Sequence, residues 1–356
     1  MSMSVKIIFD VRKIDDYGIG TYIKNIFGGL IESGKFDYKI ISLKSTESKI
    51  GIPEKTIFVK SKNYTLNEHI EISLIMNKMK NYAYFSPHYV FPYFIKNRLF
   101  ITIHDIIHFK FSHLFPAYKV KAARIFIRKA KKRADTIFTV SNKTKADLIN
   151  YFGFKEEKIK VIYNGVDEKF FEIKKEKKFS DPPYILYIGN TTPHKNLKTL
   201  LRAFSLFAMR DKNVNLTLVG IRDKKYVLKE ITRLNIRERI NIKPFLPFEK
   251  IIPIIDNSLF FVFPSLYEGF GLPPLEVMAR GKAVISSTGG SLPEILGDNS
   301  LYFDPNSEEE LSDKIYLLVN NPELRKHYEK RGRIHSEKFR WKKFIKEYID
   351  FFEKNY

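Results

Sequence analysis

The sequence contains no cysteine among its 356 residues. This absence excludes disulfides, thiolate nucleophiles and cysteine-ligated metal sites. No uninterrupted apolar run reaches the roughly 18 residues that a membrane-spanning helix needs, and the N-terminal segment lacks the apolar stretch of a signal peptide. We therefore expect a cytoplasmic protein, and peripheral contact with the inner face of a membrane stays open as an alternative.

Three familiar ligand signatures are also missing. The sequence has no D-x-D metal motif, no G-x-x-x-x-G-K-[ST] phosphate loop and no G-x-G-x-x-G dinucleotide fingerprint. ATPases and dehydrogenases depend on the last two motifs for their phosphate contacts, so both classes are disfavoured. We expect neither a bound metal nor a cofactor.

Positive charge is in excess, with a formal net charge of +22. Such a field attracts nucleic acid, anionic lipid or phosphorylated small molecules. The basic residues are densest from Lys119 to Arg133, where Val120, Phe126 and Ile127 share a helical face. This pattern predicts either a basic amphipathic helix on an anionic membrane or a solvated helix whose apolar stripe packs inward. Nucleic-acid binding is disfavoured because no recognition motif accompanies the charge.

Short apolar runs alternate with helical patterns along the chain, which is typical of βα units with parallel sheets. We predict an α/β fold with two Rossmann-like doubly wound parallel-sheet domains that face a central cleft. The first domain takes residues 1–171 and a C-terminal helix at 340–356, a linker follows at 172–183, and the second domain takes 184–339. The predicted strands are 5–9, 38–42, 56–59, 83–85, 99–103, 136–140, 160–163, 184–188, 215–219, 240–242, 259–263, 283–286 and 301–303.

The most informative segment is PSLYEGFGLPPLEVMARG, residues 264–281. It follows a buried strand, and we place Glu268 in a glycine-containing loop and Glu276, with Pro274, in the first turn of the next helix. Two carboxylates that flank such a loop can accept hydrogen bonds from the vicinal hydroxyls of a ribose and a sugar. The alternative is a solvated Glu268 and a Glu276 that only complements the helix dipole.

This segment resembles the E-x7-E signature of the large retaining glycosyltransferase family 4, which has the GT-B fold. The resemblance implies that Glu276 holds the donor ribose and that Glu268 lies beside the donor sugar. It also implies that the intervening loop contacts the donor through Gly269, Phe270, Gly271 and Leu272.

A second donor segment is YIGNTTPHKN, which ends the first strand of the second domain and opens a helix. Lys195 adds its charge to that helix N-terminus and forms a natural diphosphate site. Many members of the family have an arginine after the glycine of this strand, whereas this sequence has Asn190. Asn190 is therefore a donor-binding candidate, and Arg222 is a candidate for the missing cation.

In the first domain, His104 and Asp105 follow the strand LFITI, and polar residues at a strand's carboxyl end face a ligand cleft. The resemblance implies that His104 lies near the donor sugar. Gly18 and Gly20 resemble the family's glycine-rich loop near the diphosphate or acceptor. Two further turns resemble family loops near the linker and the nucleotide, at residues 164–167 and 289–294.

The resemblance implies a metal-independent hexosyltransferase that retains anomeric configuration. It would move a hexosyl group from a nucleoside diphosphate sugar, by preference mannose from GDP-mannose with UDP-linked donors left open, to a glycan or lipid-linked hydroxyl in surface polysaccharide or glycolipid synthesis. His104, Lys195 and Glu268 are the candidate catalytic residues. The alternatives are a GT-B sugar-nucleotide epimerase and a non-catalytic basic module that binds nucleic acid or an anionic membrane.

Overall fold

The structure, a computed structural model, describes residues 5–16, 18–49, 52–61, 63, 65–172 and 182–355. The chain packs into two units. One is Met1–Asn164 together with Trp341–Tyr356, and the other is Gly165–Arg340. Each unit is built on its own parallel sheet, which confirms the predicted α/β class with two Rossmann-like domains.

The predicted domain division at residue 171 differs slightly from the observed packing. The second unit starts at Gly165, and the short turn Glu168–Phe170 contacts the helix Leu272–Ala279 of that unit. The Phe170 side chain is buried, and its carbonyl oxygen accepts a hydrogen bond from Arg280 of the second unit at 3.4 Å. The predicted linker at 172–183 lies largely outside the described residues.

The first unit contains a seven-stranded parallel sheet of order β3-β2-β1-β4-β5-β6-β7. Because the order reverses at β1, the loops that follow β1 and β4 flank a topological switch point. The strands are β1 Val5–Asp10, β2 Phe36–Leu43, β3 Thr56–Val59, β4 Ala83–Ser86, β5 Leu99–Ile103, β6 Thr136–Thr139 and β7 Ile159–Val161. The helices are α1 Ile19–Glu32, α2 Leu66–Lys78, α3 Ile107–Lys110, α4 Ala117–Arg133 and α5 Asn142–Phe152.

Local sequence signals set the ends of these helices. The Thr65 hydroxyl accepts a hydrogen bond from the Glu68 backbone N–H and caps α2, and the Ser141 hydroxyl caps α5 in the same way. Such capping hydroxyls satisfy backbone donors that the first helical turn leaves unpaired. Gly153 ends α5 with a left-handed φ of 62°, a conformation that glycine adopts at little cost.

Helix α4 is the basic helix of the sequence, and its apolar stripe faces the protein. Ala123, Ile127 and Ala130 are buried, and Val120 and Phe126 are half-buried. The structure thus supports the inward-packing interpretation for this stripe. Any membrane contact of α4 must use other side chains.

The second unit contains a six-stranded parallel sheet of order β10-β9-β8-β11-β12-β13. Its switch point lies between β8 and β11, the adjacent strands at which the order reverses. The strands are β8 Tyr184–Ile188, β9 Asn215–Val219, β10 Ile240–Lys243, β11 Phe260–Phe263, β12 Ala283–Ser287 and β13 Leu301–Phe303. The helices are α6 Leu197–Arg210, α7 Lys224–Arg233, α8 Phe248–Asn257, α9 Leu272–Ala279, α10 Leu292–Leu296, α11 Glu308–Asn320 and α12 Pro322–Ser336.

The last helix, α13 Trp341–Asn355, belongs to the first unit. Its Tyr348 hydroxyl is 2.7 Å from the Tyr22 hydroxyl, which also lies 2.7 Å from Thr102 Oγ1. Phe352 is fully buried, with its ring 5.1 Å from the ring of Phe100 in an edge-to-face arrangement. These aromatic contacts make α13 part of the core of the first unit.

We predict that Phe352→Ala lowers the stability of the first unit by about 3 to 5 kcal/mol, the usual cost of removing a buried phenyl ring. In scanning calorimetry, the transition that reports unfolding of the first unit should occur at a lower temperature than in the wild type. Lys354→Ala, an exposed change on the same helix, serves as the control and should leave that transition within about a degree. Equal shifts in the two variants would contradict the packing of α13.

Candidate functional site

The strongest candidate site lies at the switch point of the second unit. The loop after β8 carries Lys195, and the loop after β11 carries Glu268. Lys195 Nζ is 2.7 Å from Glu268 Oε1, and both side chains are mostly buried. The Leu266 backbone N–H also donates to the His194 carbonyl oxygen at 2.8 Å. The two loops are therefore joined by an ion pair and a backbone hydrogen bond.

Asn196 anchors the lysine-bearing turn. It stands at the N-cap of α6 with a left-handed φ of 56°, which asparagine tolerates better than most residues. Its side-chain amide donates to the carbonyl oxygens of Pro264 at 3.0 Å and Pro305 at 2.7 Å. Sequence reasoning gave Asn196 no role, although an asparagine directly before a helix is a recognisable signal for such a turn.

The loop after β12 packs against the glutamate-bearing loop and forms hydrogen bonds with it. Gly290 has φ +67°, and a Cβ there would lie 2.3 Å from the Glu268 carbonyl oxygen. A Cβ on Gly289 would meet the Ser265 carbonyl oxygen at 2.3 Å. The Ser291 hydroxyl donates to the carbonyl oxygens of Glu268 at 3.1 Å and Phe270 at 3.0 Å. Sequence reasoning included these glycines in a loop near the nucleotide but missed Ser291.

The predicted donor loop reaches α9, which begins at Leu272. The Phe270 side chain is buried, and its ring lies 6.1 Å from the ring of Phe339, so the side chain is not available to a ligand. Gly271 has φ +99°, and a Cβ there would meet a Leu292 methyl group at 2.6 Å. The loop is therefore packed too closely for side chains at this point.

The placement of Glu276 in the first helical turn was wrong. Because α9 begins at Leu272, with Pro273 and Pro274 in its first turn, Glu276 stands in the second turn. Proline fits the first turn because the N–H groups there have no helical partner. The proposed dipole role for Glu276 is weakened, since that effect fades beyond the first turn.

The Glu276 carboxyl group is half-buried and forms no hydrogen bond or ion pair with the residues that the structure describes. Burial, with a smaller contribution from the Asp167 carboxylate, raises the pKa of Glu276 to about 7. Asp167 itself accepts a hydrogen bond from the Lys169 backbone N–H at 3.0 Å. A carboxyl group in this state is suited to gain hydroxyl donors from a ligand, because such donors stabilise its ionised form.

Asn190 shapes the loop after β8. Its Oδ1 accepts hydrogen bonds from the Thr192 backbone N–H at 3.0 Å and the Thr192 hydroxyl at 2.5 Å. Its backbone oxygen accepts from the Tyr187 hydroxyl at 2.9 Å. The Asn190 oxygens are thus committed to the turn. Arg222, the candidate replacement cation, is exposed in the loop after β9.

The other predicted residues belong to the first unit. His104 follows β5, and its Nε2 is 2.8 Å from the Pro87 carbonyl oxygen. Since a carbonyl can only accept, Nε2 carries the proton and Nδ1 remains an acceptor. Burial lowers the pKa of His104, which keeps the ring neutral at neutral pH.

Gly18 and Gly20 open α1 after the first strand. Gly18 is the N-cap with φ 68°, and a Cβ there would meet no atom within 4 Å. A Cβ on Gly20 would lie 2.3 Å from the Ile14 carbonyl oxygen. Gly20 is therefore required by the fold of the loop, whereas Gly18 faces open space.

A buried charge network supports this first-unit loop, and sequence reasoning missed it. Arg12 donates to both carboxylate oxygens of Asp10, at 2.9 Å and 2.7 Å, and to Glu68 at 2.9 Å. The Tyr84 hydroxyl donates to Asp10 at 2.6 Å. Buried charges are tolerated only when they are paired. The D-x-R spacing of Asp10 and Arg12 at the end of β1 was therefore the local sequence signal for such a pair.

No cluster of three or more histidine, aspartate or glutamate side chains suited to a metal ion occurs among the described residues. Within the same part of the chain, no helix is both long and apolar enough to cross a membrane.

The sequence matches two family models. Residues 168–335 match the model described as glycosyl transferases group 1, and residues 82–170 match glycosyltransferase family 4. The two matched ranges overlap at residues 168–170 and together cover residues 82–335, which is most of the chain.

The chain is also similar to curated proteins. It is 29% identical over 273 residues to O-antigen chain mannosyltransferase B of Escherichia coli, covering 74% of this chain and 71% of that one. It is 30% identical to O-antigen chain mannosyltransferase RfbU of Salmonella typhimurium, covering 63% and 61%, so it spans less than two thirds of that relative. It is 31% identical to an uncharacterized glycosyltransferase of Methanocaldococcus jannaschii, covering 72% and 71%.

Solved structures show the same fold. A glycosyltransferase from Rickettsia africae aligns with a TM-score of 0.76 at 21% identity, over 99% of this chain and 98% of that chain. HepE of Anabaena, in complex with UDP, aligns with a TM-score of 0.78 at 16% identity, over 98% and 100%. These matches confirm the predicted GT-B fold class.

The raised pKa of Glu276 predicts a pH dependence of stability. Because the folded-state pKa of about 7 exceeds the unfolded value, protonated Glu276 favours the folded state, and this contribution is lost as pH rises from about 4.5 through 7. We expect Glu276→Gln to be more stable than the wild type above pH 7, by roughly 2 kcal/mol, and to differ little near pH 4. Urea unfolding at several pH values measures this.

Asp167→Asn is the matched variant for this experiment. It removes the neighbouring charge but leaves Glu276 buried, so it should keep most of the pH dependence and shift it to lower pH. If the free energy of unfolding changed with pH in the same way in the wild type and in Glu276→Gln, the pKa of about 7 for Glu276 would be contradicted.

Proposed function

The chain belongs to glycosyltransferase family 4, and from this premise we propose that it is a retaining mannosyltransferase that uses GDP-mannose. That the protein is a glycosyltransferase follows from its family. The donor sugar, the base, the stereochemistry and the acceptor are our proposal. The observation that carries it is the contact between Lys195 and Glu268 at the switch point of a nucleotide-binding type of sheet.

Lys195 is proposed to stabilise the departing diphosphate. An ammonium group has three hydrogen-bond donors, so Lys195 can keep its contact with Glu268 and still offer donors to phosphate oxygens. The N-terminus of α6, which begins two residues later at Leu197, adds unpaired backbone N–H groups and a positive dipole end. Together they offset negative charge as it develops on the leaving group.

Glu268 is proposed to position the transferred sugar. Its Oε1 is held by Lys195 at 2.7 Å, which fixes the carboxylate and leaves Oε2 to accept a hydrogen bond from a sugar hydroxyl. The supporting contacts of Gly290 and Ser291 with the Glu268 backbone restrict the loop further. A sugar held in one orientation loses less entropy on reaching the transition state.

Glu276 is proposed to bind the donor ribose. Its carboxyl group has no hydrogen-bond donor among the described residues, whereas the two vicinal hydroxyls of a ribose would supply two. Binding would convert Glu276 to the carboxylate, so donor affinity should increase as pH rises through about 7.

His104 is proposed to contact the transferred sugar from the first unit. Its Nδ1 is an acceptor because Nε2 donates to Pro87, so a neutral His104 can accept from a sugar hydroxyl. This role needs no proton transfer by the imidazole. Gly18 and the loop around it are proposed to approach the diphosphate or the acceptor through their backbone.

The proposed reaction proceeds on one face of the sugar. The bond from the anomeric carbon to the diphosphate oxygen breaks, the bond to the acceptor oxygen forms on the same face, and the acceptor proton passes to the leaving phosphate oxygen. The anomeric configuration is then retained without a covalent glycosyl-enzyme intermediate. In this proposal Glu268 binds the sugar and does not act as the nucleophile that a retaining glycosidase uses.

The donor and acceptor are proposed from the relatives. Two of them are O-antigen mannosyltransferases by name, which supports mannose as the sugar and a surface polysaccharide or its lipid-linked precursor as the acceptor. HepE was solved with UDP, so a UDP-linked donor is the alternative. We further propose that the acceptor is lipid-linked and is reached at an anionic membrane surface.

The test is transfer from GDP-mannose, with UDP-glucose in parallel, to a lipid-linked glycan acceptor. We expect release of GDP only when the acceptor is present, and a product whose C1–H1 coupling matches the donor anomer by NMR. Release without acceptor, conversion of the sugar nucleotide itself, or an inverted product would each contradict the proposal.

We predict that Lys195→Met lowers kcat about 100-fold to 1000-fold, the usual cost of removing one group that stabilises transition-state charge. Lys198→Met removes an exposed lysine from the first turn of α6 and should keep turnover within about threefold. Lys195→Arg should retain more activity than Lys195→Met, since it keeps the charge. Equal turnover of Lys195→Met and Lys198→Met would contradict the role of Lys195.

A further inference from the structure

The first unit contains a pocket whose lining does not include His104. It is formed by α3, α4 and α5 and has a volume of about 290 Å³. Its lining residues are Phe109, Arg124, Arg128, Tyr151 and Phe152. This volume is at the low end for ligand pockets and suits a compact charged group.

The two arginines in this pocket have no carboxylate partner in the part of the chain that the structure describes. Arg124 and Arg128 form no ion pair or hydrogen bond with any residue that the structure describes, and both are exposed. The nearby carboxylate of Asp147 is already paired with Lys110 at 2.9 Å and Lys143 at 3.3 Å. The pocket therefore holds surplus positive charge and guanidinium groups whose planar donors match phosphate oxygens.

Exposed apolar side chains lie beside this charge. On α4, Tyr118 is 70% exposed and Ile125 is 46% exposed. These residues do not belong to the stripe of α4 that packs inward. They place large apolar groups at the surface on the same helix as the two pocket arginines.

Helix α2 adds a longer apolar stripe. Leu66, Ile70 and Leu74 stand at successive i,i+4 positions and are 83%, 57% and 61% exposed. Phe94, which is 65% exposed, adjoins α2 because its backbone N–H donates to the Ser73 hydroxyl at 3.2 Å. Residues spaced by four lie on one side of a helix, so Leu66, Ile70 and Leu74 form one apolar strip on the helix to which Phe94 is joined.

The apolar strip and the basic helix are neighbours. The Tyr93 ring lies 4.7 Å from His69 of α2 and 5.9 Å from Phe126 of α4, and Lys129 of α4 is 2.9 Å from the Tyr93 ring centroid. Tyr93 also contacts Phe94 at 6.3 Å between ring centroids. We name the surface made by α2, Phe94, α4 and the arginine pocket the α2/α4 face.

We propose that the α2/α4 face binds an anionic phospholipid bilayer, with a lipid phosphate in the pocket of Arg124 and Arg128 and the apolar strip entering the acyl boundary. An anionic membrane offers phosphate and hydrocarbon together, which matches the guanidinium groups and the exposed apolar side chains of this face. The inference deepens the proposed function, since it rests on a lipid-linked acceptor at a membrane.

The test is cosedimentation of the full chain with vesicles of phosphatidylcholine, with and without phosphatidylglycerol. We expect the wild type to bind the anionic vesicles and to bind neutral vesicles at least tenfold more weakly. Arg124→Gln/Arg128→Gln should lower partitioning onto anionic vesicles about thirtyfold.

The matched control is Arg237→Gln/Arg331→Gln, which removes two exposed arginines from the second unit. It should lower partitioning by less than about threefold. An equal loss of vesicle binding in both double variants would mean that net charge alone attracts the vesicles. That result would overturn the assignment of a lipid phosphate to the pocket of Arg124 and Arg128. Equal binding to neutral and anionic vesicles would overturn it as well.

The apolar strip is tested separately. Ile70→Ser/Leu74→Ser should weaken vesicle binding about tenfold or more, whereas Met209→Ser/Leu317→Ser, two exposed apolar changes in the second unit, should not. If Ile70→Ser/Leu74→Ser instead dissociates a dimer in analytical ultracentrifugation and leaves vesicle binding intact, the strip is an interface between copies and the proposal fails.

Two further readouts separate this inference from the proposed function. The Arg124→Gln/Arg128→Gln variant should bind GDP as tightly as the wild type and should transfer sugar to a water-soluble acceptor at the same rate. If the wild type transferred sugar but bound no vesicles, the membrane proposal would be overturned and the proposed transferase function would stand. If this variant lost DNA binding more strongly than vesicle binding, the pocket would be assigned to nucleic acid. That result would also overturn the membrane proposal.

Discussion

The ion pair between Lys195 and Glu268 is the contact around which the second-unit site is organised. The two residues come from distant positions in the chain, and they meet because β8 and β11 are neighbours at the point where strand order reverses. Loops that follow adjacent parallel strands emerge at the same sheet edge. The pair is kept in place by contacts on both sides, from Asn196 beneath the lysine turn and from Ser291 beneath the glutamate loop.

The proposed site combines two groups that are held in place with one group whose charge can change when a ligand binds. Lys195 and Glu268 hold one another, so in the proposed mechanism neither must reorganise greatly when the donor binds. Preorganised charges are worth more in catalysis than mobile ones. Glu276 is different, because burial raises its pKa to about 7 and it has no hydrogen-bond donor among the described residues. Its charge state is therefore sensitive to ligand hydroxyls at the pH of a cell.

Much of the fold was predictable from the sequence. Every predicted strand is present, and five of them, β3, β5, β8, β9 and β13, have the predicted bounds. Continuous apolar runs between turn signals identify such buried parallel strands. The E-x7-E segment was recognisable since both glutamates and the glycines between them lie close together in the chain. The start of α9 was missed because two consecutive prolines allow more than one helical register.

What the sequence did not reveal depends on contacts between distant segments. Ser291 and Asn196 act by hydrogen bonds to loops that become neighbours only in the folded sheet. Arg12 pairs with Glu68, which lies 56 residues away, and no local pattern predicts that pairing. For α4, composition left two interpretations open, and burial of Ile127 was needed to decide how its apolar stripe packs.

Isothermal titration of the full chain with GDP, UDP and ADP tests the central claim most directly, which is that the second unit holds a nucleoside diphosphate through Lys195 and Glu276. The account predicts that one of these nucleotides, GDP by preference, binds the wild type and binds Glu276→Ala at least tenfold more weakly, with ribose hydroxyls accounting for the difference. Binding of none of them, or equal affinity in the wild type and the variant, would contradict it.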